Sequence, residues 1–376
     1  MTHAVEWNLE HADGSARAGR LSLTHGTVAT PAFMPVGTRA TVRALDVRDL
    51  AEVGAEIVLA NTYHLMLRPG AEVIADLGGL HGFMGWDRPI LTDSGGYQIF
   101  SLDPRVTEEG AEFRSTYDGA TVRLSPEEAI RIQELLGPDI AMCLDVLVGL
   151  PAERQVVAEA MERTLRWEER ALTAHTRVDQ ALFGIVQGGV DPDLRAISAQ
   201  STAELGFAGF GIGGLSVGES AEERNLALEA VMNHLPDGKV RYAMGLGDAT
   251  GVLDAIGRGA DLFDCVWPTR LARHGRVLTP TGDFNLRRAE FTTDPRPLDE
   301  ECPCLTCHTY SRAYLRHLLI TGELSVLRLV TLHNLTYTFR LLAGARRAIE
   351  EGQFEDYQAA VVDRREERVG EAGPSS

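Results

Sequence analysis

Ser125-Pro-Glu-Glu-Ala-Ile-Arg-Ile-Gln-Glu-Leu-Leu136 is followed closely by Ile140-Ala-Met-Cys-Leu144. The first stretch reads as a helix. Ser125 stands at the N-cap, Pro126 fills the first helical position, and Glu128 lies three residues after the cap. The second is a short apolar run of the kind that forms a strand buried on both faces. Similar runs occur at Ile57–Ala60, Pro89–Thr92, Leu182–Val186, Gly209–Ile212, Val240–Met244 and Leu262–Val266, each ending in polar or glycine residues. Between them, Ala152 to Ala174 and Ser220 to His234 read as amphipathic helices, the second again opening on a cap. Strands alternating with helices imply parallel βαβ units. Seven or eight such units point to an α/β protein built as a (β/α)8 barrel; a doubly wound sheet is the competing architecture, and periodicity alone leaves both open.

The chain has 376 residues, and a barrel of this type needs about 250, leaving roughly 126 for extensions. Residues 1–40 read as an N-terminal β-hairpin region, with Arg20-Leu-Ser-Leu-Thr and Val28-Ala-Thr-Pro-Ala-Phe-Met flanking a turn at His25-Gly26. The barrel core is expected over 41–276. From Val277 the pattern changes to a hairpin, a polar loop through Glu301, a cysteine cluster, a helix over about 308–321 and a helical stretch over about 324–351. Residues 277–350 therefore read as a zinc-binding subdomain with closing helices. The rest, 351–376, reads as a helix end and a polar tail that frays from Asp363.

With 44% hydrophobic and 24% charged residues, wholesale disorder is excluded. The N-terminus lacks a basic segment followed by an apolar one, and no apolar run approaches the ~20 residues of a bilayer span, so a soluble cytoplasmic protein is expected. The 36 basic and 54 acidic residues give a net charge of −18, which argues against a surface coated for nucleic acid but not against a local basic patch. Such a patch is offered by Arg270, Arg273, His274, Arg276, Arg287 and Arg288, with Arg312, Arg316 and Arg328 further on. Phosphate contact is the functional reading of this patch, and a solvated hairpin the plain one.

Three of the five cysteines, Cys302, Cys304 and Cys307, fall within six residues. Zinc favours four tetrahedral ligands, thiolates from a tight loop and often an imidazole from a packed helix. His308 adjoins Cys307 and is badly placed to turn back, His317 reads as a surface helix residue, and His333 can fold back from the second helical stretch. A Cys302, Cys304, Cys307 and His333 set leaves no open position and is expected to be structural.

In parallel α/β folds the chemistry sits at the C-terminal ends of strands. Asp93-Ser-Gly-Gly-Tyr97, Asp145, Gln187-Gly-Gly and Gly213-Gly-Leu-Ser-Val-Gly-Glu219 all fall there. An aspartate at such a junction is often only a helix cap. Together, though, a carboxylate, a glutamine amide and glycine-exposed backbone groups match a guanine-like edge. Asp264 lies inside an apolar run, where a carboxylate is expensive unless paired or used; an ion pair with a nearby arginine and a nucleophile are both open readings.

The motifs Leu59-Ala-Asn-Thr-Tyr-His-Leu65, Thr92-Asp-Ser-Gly-Gly-Tyr-Gln98, Ile185-Val-Gln-Gly-Gly189, Gly213–Glu219, Tyr242-Ala-Met-Gly-Leu-Gly247 and Phe263-Asp-Cys-Val-Trp-Pro-Thr-Arg270, with Cys-x-Cys-x2-Cys and a distant histidine, resemble the tRNA-guanine transglycosylases, the queuine tRNA-ribosyltransferase family, and its bacterial branch in particular. The resemblance covers about residues 5 to 360. It implies a (β/α)8 TIM barrel with a zinc subdomain. It also implies a pentosyltransferase that exchanges the wobble guanine of GUN-anticodon tRNAs for preQ1, 7-aminomethyl-7-deazaguanine, in queuosine modification. By the same resemblance Asp264 is the nucleophile and Asp93 the general acid/base, which should titrate nearer neutrality. Asp93, Ser94, Tyr97, Asp145, Gln187, Gly214, Leu215, Glu219 and Met244 bind the base, Arg270 and Arg273 contact tRNA, one zinc ion per chain is held by the Cys3His set, and the protein is a homodimer with no membrane partner. The sequence departs from the family pattern in two places: Leu147 stands where a cysteine is common, and Trp267 where a methionine is. Val217 is as expected for a preQ1 pocket. Retention of both Asp93 and Asp264 argues against a non-catalytic tRNA-binding subunit, and the lack of a His/Asp cluster at the strand ends argues against a metal-dependent hydrolase.

Overall fold

Each apolar run becomes a parallel strand in the computed structural model, which describes residues 5–215 and 218–371. Eight strands close into a barrel in chain order: Ala32–Gly37, Val58–Asn61, Ile90–Asp93, Ile140–Met142, Ala181–Val186, Gly209–Ile212, Val240–Ala243 and Leu262–Cys265, the last pairing with the first. They are referred to below as the first to eighth barrel strands. The doubly wound alternative is excluded by this closure.

The first strand corrects the sequence reading, because it lies inside the 1–40 segment assigned to a hairpin. That segment divides in two. Val5–Asp13, Ala16–Leu23 and Gly26–Thr30 form a three-stranded antiparallel sheet, and Ala32–Gly37 joins the barrel. Pro31 lies between them and has no N–H to extend a ladder, so one sheet ends there and the other begins.

The helices follow their local signals. Ser125 accepts from the Glu128 backbone N–H at 3.2 Å, and the helix Pro126–Leu136 ends at Gly137, whose φ of 66° suits glycine. Ser220 and Glu223 form a full capping box on Ala221–Met232. The helix expected over 308–321 is two, Leu305–Thr309 and Arg312–Thr321, because the Ser311 side chain caps the second. The tail does not fray from Asp363 as far as Glu371, and 372–376 lie outside the described residues. The helix Phe354–Glu371 runs through it, and Arg365 donates to the Thr279 carbonyl and the Tyr337 hydroxyl and pairs with Asp283 at 2.8 Å. An unforeseen three-stranded sheet, Arg105–Val106, Ala111–Arg114 and Thr121–Leu124, is inserted after the third barrel strand.

Two apolar layers hold the barrel. Inside, Met34, Leu59, Leu91, Met142, Phe183, Ile185 and Leu262 fill the bore, and Trp7, Leu21 and Val28 of the N-terminal sheet close its floor. Outside, the strands pack on the helices. The helix Ser325–Glu350 belongs to this outer layer through Leu332, Leu335, Leu342 and Ile349, so the cysteine subdomain is an insertion between the eighth strand and its closing helix. The Asn334 side chain fixes the junction, accepting from Leu278 N–H and donating to the Pro268 and Arg276 carbonyls. No helix among the described residues is long and apolar enough to cross a membrane.

Candidate active site

A cavity of about 580 Å³ opens at the C-terminal ends of the strands, within the roughly 300–1,000 Å³ range of small-molecule sites. Asp93, Ser94, Tyr97, Asp145, Gly214, Leu215, Met244, Asp264 and Arg270 all line it, as do Leu147 and Trp267, the two departures.

Asp93 ends the third strand. Its Oδ1 accepts from the Thr62 N–H at 2.9 Å and the Gly95 N–H at 3.2 Å, and its Oδ2 accepts from the Asn61 amide. Burial raises its carboxyl to about 7; the Asp264 charge adds to the rise, and the hydrogen bonds only partly oppose it. Asp264, in the eighth strand, accepts from the Tyr242 hydroxyl at 2.6 Å and the Gly245 N–H at 2.7 Å. Both bonds fall on Oδ1, and Oδ2 accepts none among the described residues. Burial raises this carboxyl too, against the pull of Tyr242 and Gly245. Among the described residues Asp264 has no ion pair, so the paired reading fails. Asn61 and Tyr242 belong to motifs quoted above, but their service to the two carboxylates is visible only once the strands stand side by side.

Asp145 follows the fourth strand and accepts from the Gln187 amide nitrogen at 2.6 Å. Burial raises its carboxyl to about 6, with Gln187 and Ser94 opposing. Gln187 stands behind Asp145 rather than on the cavity wall. The close approaches explain the glycines. A Cβ at Gly96 would fall 2.5 Å from Asp145 Oδ1, and one at Gly214 2.4 Å from Gln187 Oε1. Arg195, unmarked in the sequence, is wholly buried. It donates to the Gly189, Val186 and Gly214 carbonyls, fixing the Gly214 peptide on the cavity rim. Burial pulls its guanidinium down to about 9, and the Glu219 charge opposes that fall. No signal in the sequence marked it, since the buried face of its helix also carries Ser198 and Thr202. Val217 lies outside the described residues.

The family model for queuine tRNA-ribosyltransferase matches residues 13–367. The chain is 52% identical to the queuine tRNA-ribosyltransferase of Moorella thermoacetica over 351 residues, covering 93% of this chain and 94% of that one. It is 50% identical to that of Herpetosiphon aurantiacus over 353 residues, 93% and 90% of the two chains, and 48% identical to that of Thermus thermophilus over 361 residues, 96% and 94%. The chain belongs to the queuine tRNA-ribosyltransferase family. This is a family of pentosyltransferase enzymes.

The arginine patch of this family member is narrower than its sequence implies. Arg276 pairs with Asp283, Arg288 with Glu290, Arg312 with Asp294, and Arg328 with Asp49. Arg316 donates to the Arg288 carbonyl. Arg270, Arg273 and Arg287 have no ion-pair partner among the described residues. Arg273 is lowered by burial and then by the nearby charges of Arg43 and Arg270, and its Nη1 is buried without a hydrogen bond. A buried guanidinium nitrogen beside two more cations is a place for an anion.

In the subdomain Cys302, Cys304, Cys307 and His333 put four ligand atoms within 4.8 Å of one another, which could hold a metal ion. His333 Nδ1 faces Cys307 Sγ at 3.2 Å and Cys304 Sγ at 3.8 Å, while Nε2 lies 2.8 Å from the Leu278 carbonyl. That carbonyl needs Nε2 protonated, which leaves the Nδ1 lone pair toward the sulfurs, the orientation of a metal-bound histidine. His308 and His317 stay outside the set. Among the described residues no metal-ligating cluster lies at the mouth of the barrel, so the hydrolase reading has no support.

Proposed function

We propose that this enzyme exchanges the wobble guanine of GUN-anticodon tRNAs for preQ1 through a covalent aspartyl–ribosyl intermediate. One observation carries the reading: two half-buried carboxylates, Asp93 and Asp264, line one cavity, and the first is held at about 7. Asp264, with Oδ1 anchored by Tyr242 and Gly245, presents Oδ2 to the ribose. It attacks C1′, the C1′–N9 bond breaks, and the electron pair leaves with guanine, which Asp93 protonates. Asp93 then takes a proton from the incoming base, whose nitrogen displaces Asp264. Two displacements retain configuration. A carboxyl near neutrality can both give and take that proton.

Asp145, held by the Gln187 amide behind it, and the Gly214–Leu215 backbone read the purine edge, with Tyr97 and Met244 as walls, Ser94 supporting Asp145, and Glu219 supporting the Leu215 peptide. Arg270 and Arg273 take tRNA phosphates, which suits an anticodon loop whose bases leave the stack cheaply. Zinc bound by Cys302, Cys304, Cys307 and His333 would staple the subdomain, four protein ligands leaving no open position. Cys304→Ser should lose one zinc per chain together with stability, read by metal analysis and thermal melting. A homodimer working in the cytoplasm completes the proposal.

The test is release of labelled guanine from a GUN-anticodon tRNA, with and without preQ1. Exchange that depends on the wobble guanosine supports the reaction, and preQ1 incorporation supports the base. Zinc-loaded, tRNA-binding protein that releases no guanine refutes it.

A further inference from the structure

We propose that Thr164 and Glu168 are positioning residues for base recognition: from the helix Arg154–Ala174, outside the barrel, they hold open a break between the fourth and fifth strands, and that break turns Asp145 into the cavity. This role presupposes that Asp145 meets the purine edge, as proposed above. The two strands pair as far as Met142 and Phe183, after which the Cys143 N–H donates to the Phe183 carbonyl at 3.0 Å. In a continued parallel ladder the Ile185 N–H would donate to the Cys143 carbonyl. It donates instead to the Glu168 carboxyl at 2.5 Å, although the fifth strand stays paired with the sixth as far as Val186 and Ile212. Four residues earlier on the same helix face, the Thr164 hydroxyl oxygen accepts from the Val146 N–H at 3.0 Å. Its own proton goes to the Ala160 carbonyl at 2.9 Å, so that oxygen is committed as an acceptor.

The break changes which way Asp145 faces. Side chains alternate along a strand, and Met142 fills the bore while Cys143 faces the helices. Continued alternation would put Leu144 in the bore and Asp145 among the helices. Leu144 lies instead in the outer layer with Cys143, and Asp145 lines the cavity. Val146, the next residue, is where Thr164 takes hold. Across the break, Ile185 stands two residues before Gln187, whose amide donates to Asp145 at 2.6 Å. The pair thus fixes both strands beside the Asp145–Gln187 contact. Thr164 and Glu168 are buried, and an apolar side chain at either place would leave a backbone N–H without its acceptor. Burial raises the Glu168 carboxyl to about 8, the Ile185 and Thr202 bonds opposing the rise and the Asp145 charge adding to it. Near pH 7 Glu168 is therefore neutral and puts no second charge behind Asp145.

The experiment titrates preQ1 into zinc-loaded, full-length enzyme by calorimetry and compares kcat and KM for the base in guanine exchange. Glu168→Leu should raise Kd and KM for preQ1 roughly ten-fold or more, and Thr164→Val about three- to ten-fold. The kcat at saturating base should stay within about two-fold of native, because a contact made equally before and during reaction moves KM alone. Glu168→Gln and Thr164→Ser keep the acceptor oxygens and should bind preQ1 within about two-fold of native. A purely structural pair would lower Tm in Glu168→Leu and Thr164→Val and leave Kd unmoved in folded protein, and that result overturns the proposal. So does a Glu168→Gln variant that binds as weakly as Glu168→Leu. A native enzyme that binds no preQ1 strikes the role of Asp145 on which the pair depends, whereas native binding with unmoved variants strikes the pair alone. Should Glu168→Leu fail to fold, Thr164→Val, which exchanges one hydroxyl for a methyl, decides.

Discussion

The fourth and eighth barrel strands each carry an aspartate at both ends, and the two ends treat the carboxylate in opposite ways. On the floor, Asp139 accepts N–H groups from His25, Ile90 and two imidazoles, and although burial pushes it up, these bonds hold it below the ordinary carboxylate range. Asp261 is gripped by the Arg17 guanidinium on both oxygens and by the Arg241 N–H; burial raises it and Arg17 opposes. At the mouth, Asp145 has a glutamine amide and Asp264 a tyrosine hydroxyl and one backbone N–H, and among the described residues neither has a cation partner. A carboxylate clamped by cations or by four donors is a fixed charge that ties segments together. A half-buried one given only neutral partners is left able to change protonation or to form a bond.

The contrast can be broken by single changes. Asp264→Asn should reduce guanine exchange by on the order of 10⁴-fold or more and leave no tRNA adduct after denaturing quench. An adduct trapped on that variant would remove Asp264 as nucleophile. Asp93→Asn should cost roughly 10²- to 10⁴-fold. The native pH–rate profile should bend near 7, where Asp93 titrates, and the variant should lose that bend. A bend that survives assigns the proton transfer to another group. Asp261→Asn leaves the buried Arg17 without its counter-charge, and a loss of about 3–5 kcal/mol in urea unfolding is expected with kcat of the folded protein unchanged. A fall in kcat at native stability would mean that the floor carboxylates also serve the chemistry.

Much of this was legible in the sequence, for identifiable reasons. Short apolar runs and capped helices report local structure, so seven strands and the helices Pro126–Leu136, Arg154–Ala174, Ala221–Met232 and Ser325–Glu350 follow from the pattern. The remaining one, the first barrel strand Ala32–Gly37, was hidden because it continues an antiparallel strand past Pro31, and a period of two looks alike in either sheet. The cysteine spacing marks its own cluster, and a histidine 26 residues beyond Cys307 could be assigned because helix Ser325–Glu350 has room to return it. What stayed hidden depends on strands being neighbours. Nothing local in Asn61 or Tyr242 says that it faces Asp93 or Asp264, and nothing in Arg276, Arg312 or Arg328 says that each already has an acidic partner. Arg195 and the His25–His81–Asp139 group are hidden in the same way, since each is assembled across elements far apart in the chain.

The smallest expected effect is also the sharpest comparison of the two ends. Asp145 has a folded-state pKa of about 6 against an ordinary value of 3.8, so the fold disfavours its charged form. The penalty is absent below about pH 3.8, grows as pH rises to about 6, and is complete above that. Asn at this position keeps an oxygen that can accept from Gln187 and carries no charge to bury. At about 1.4 kcal/mol per pKa unit the ceiling is near 3 kcal/mol, and imperfect bonds of the new amide bring the expected gain to about 1–2 kcal/mol. Asp145→Asn should therefore be more stable than the native chain in urea at about pH 7.5 and equal to it near pH 4, while base binding weakens. If it is instead destabilised at pH 7.5, as Asp261→Asn is expected to be, the mouth carboxylates hold structure too, and the division of labour between the barrel's ends is wrong.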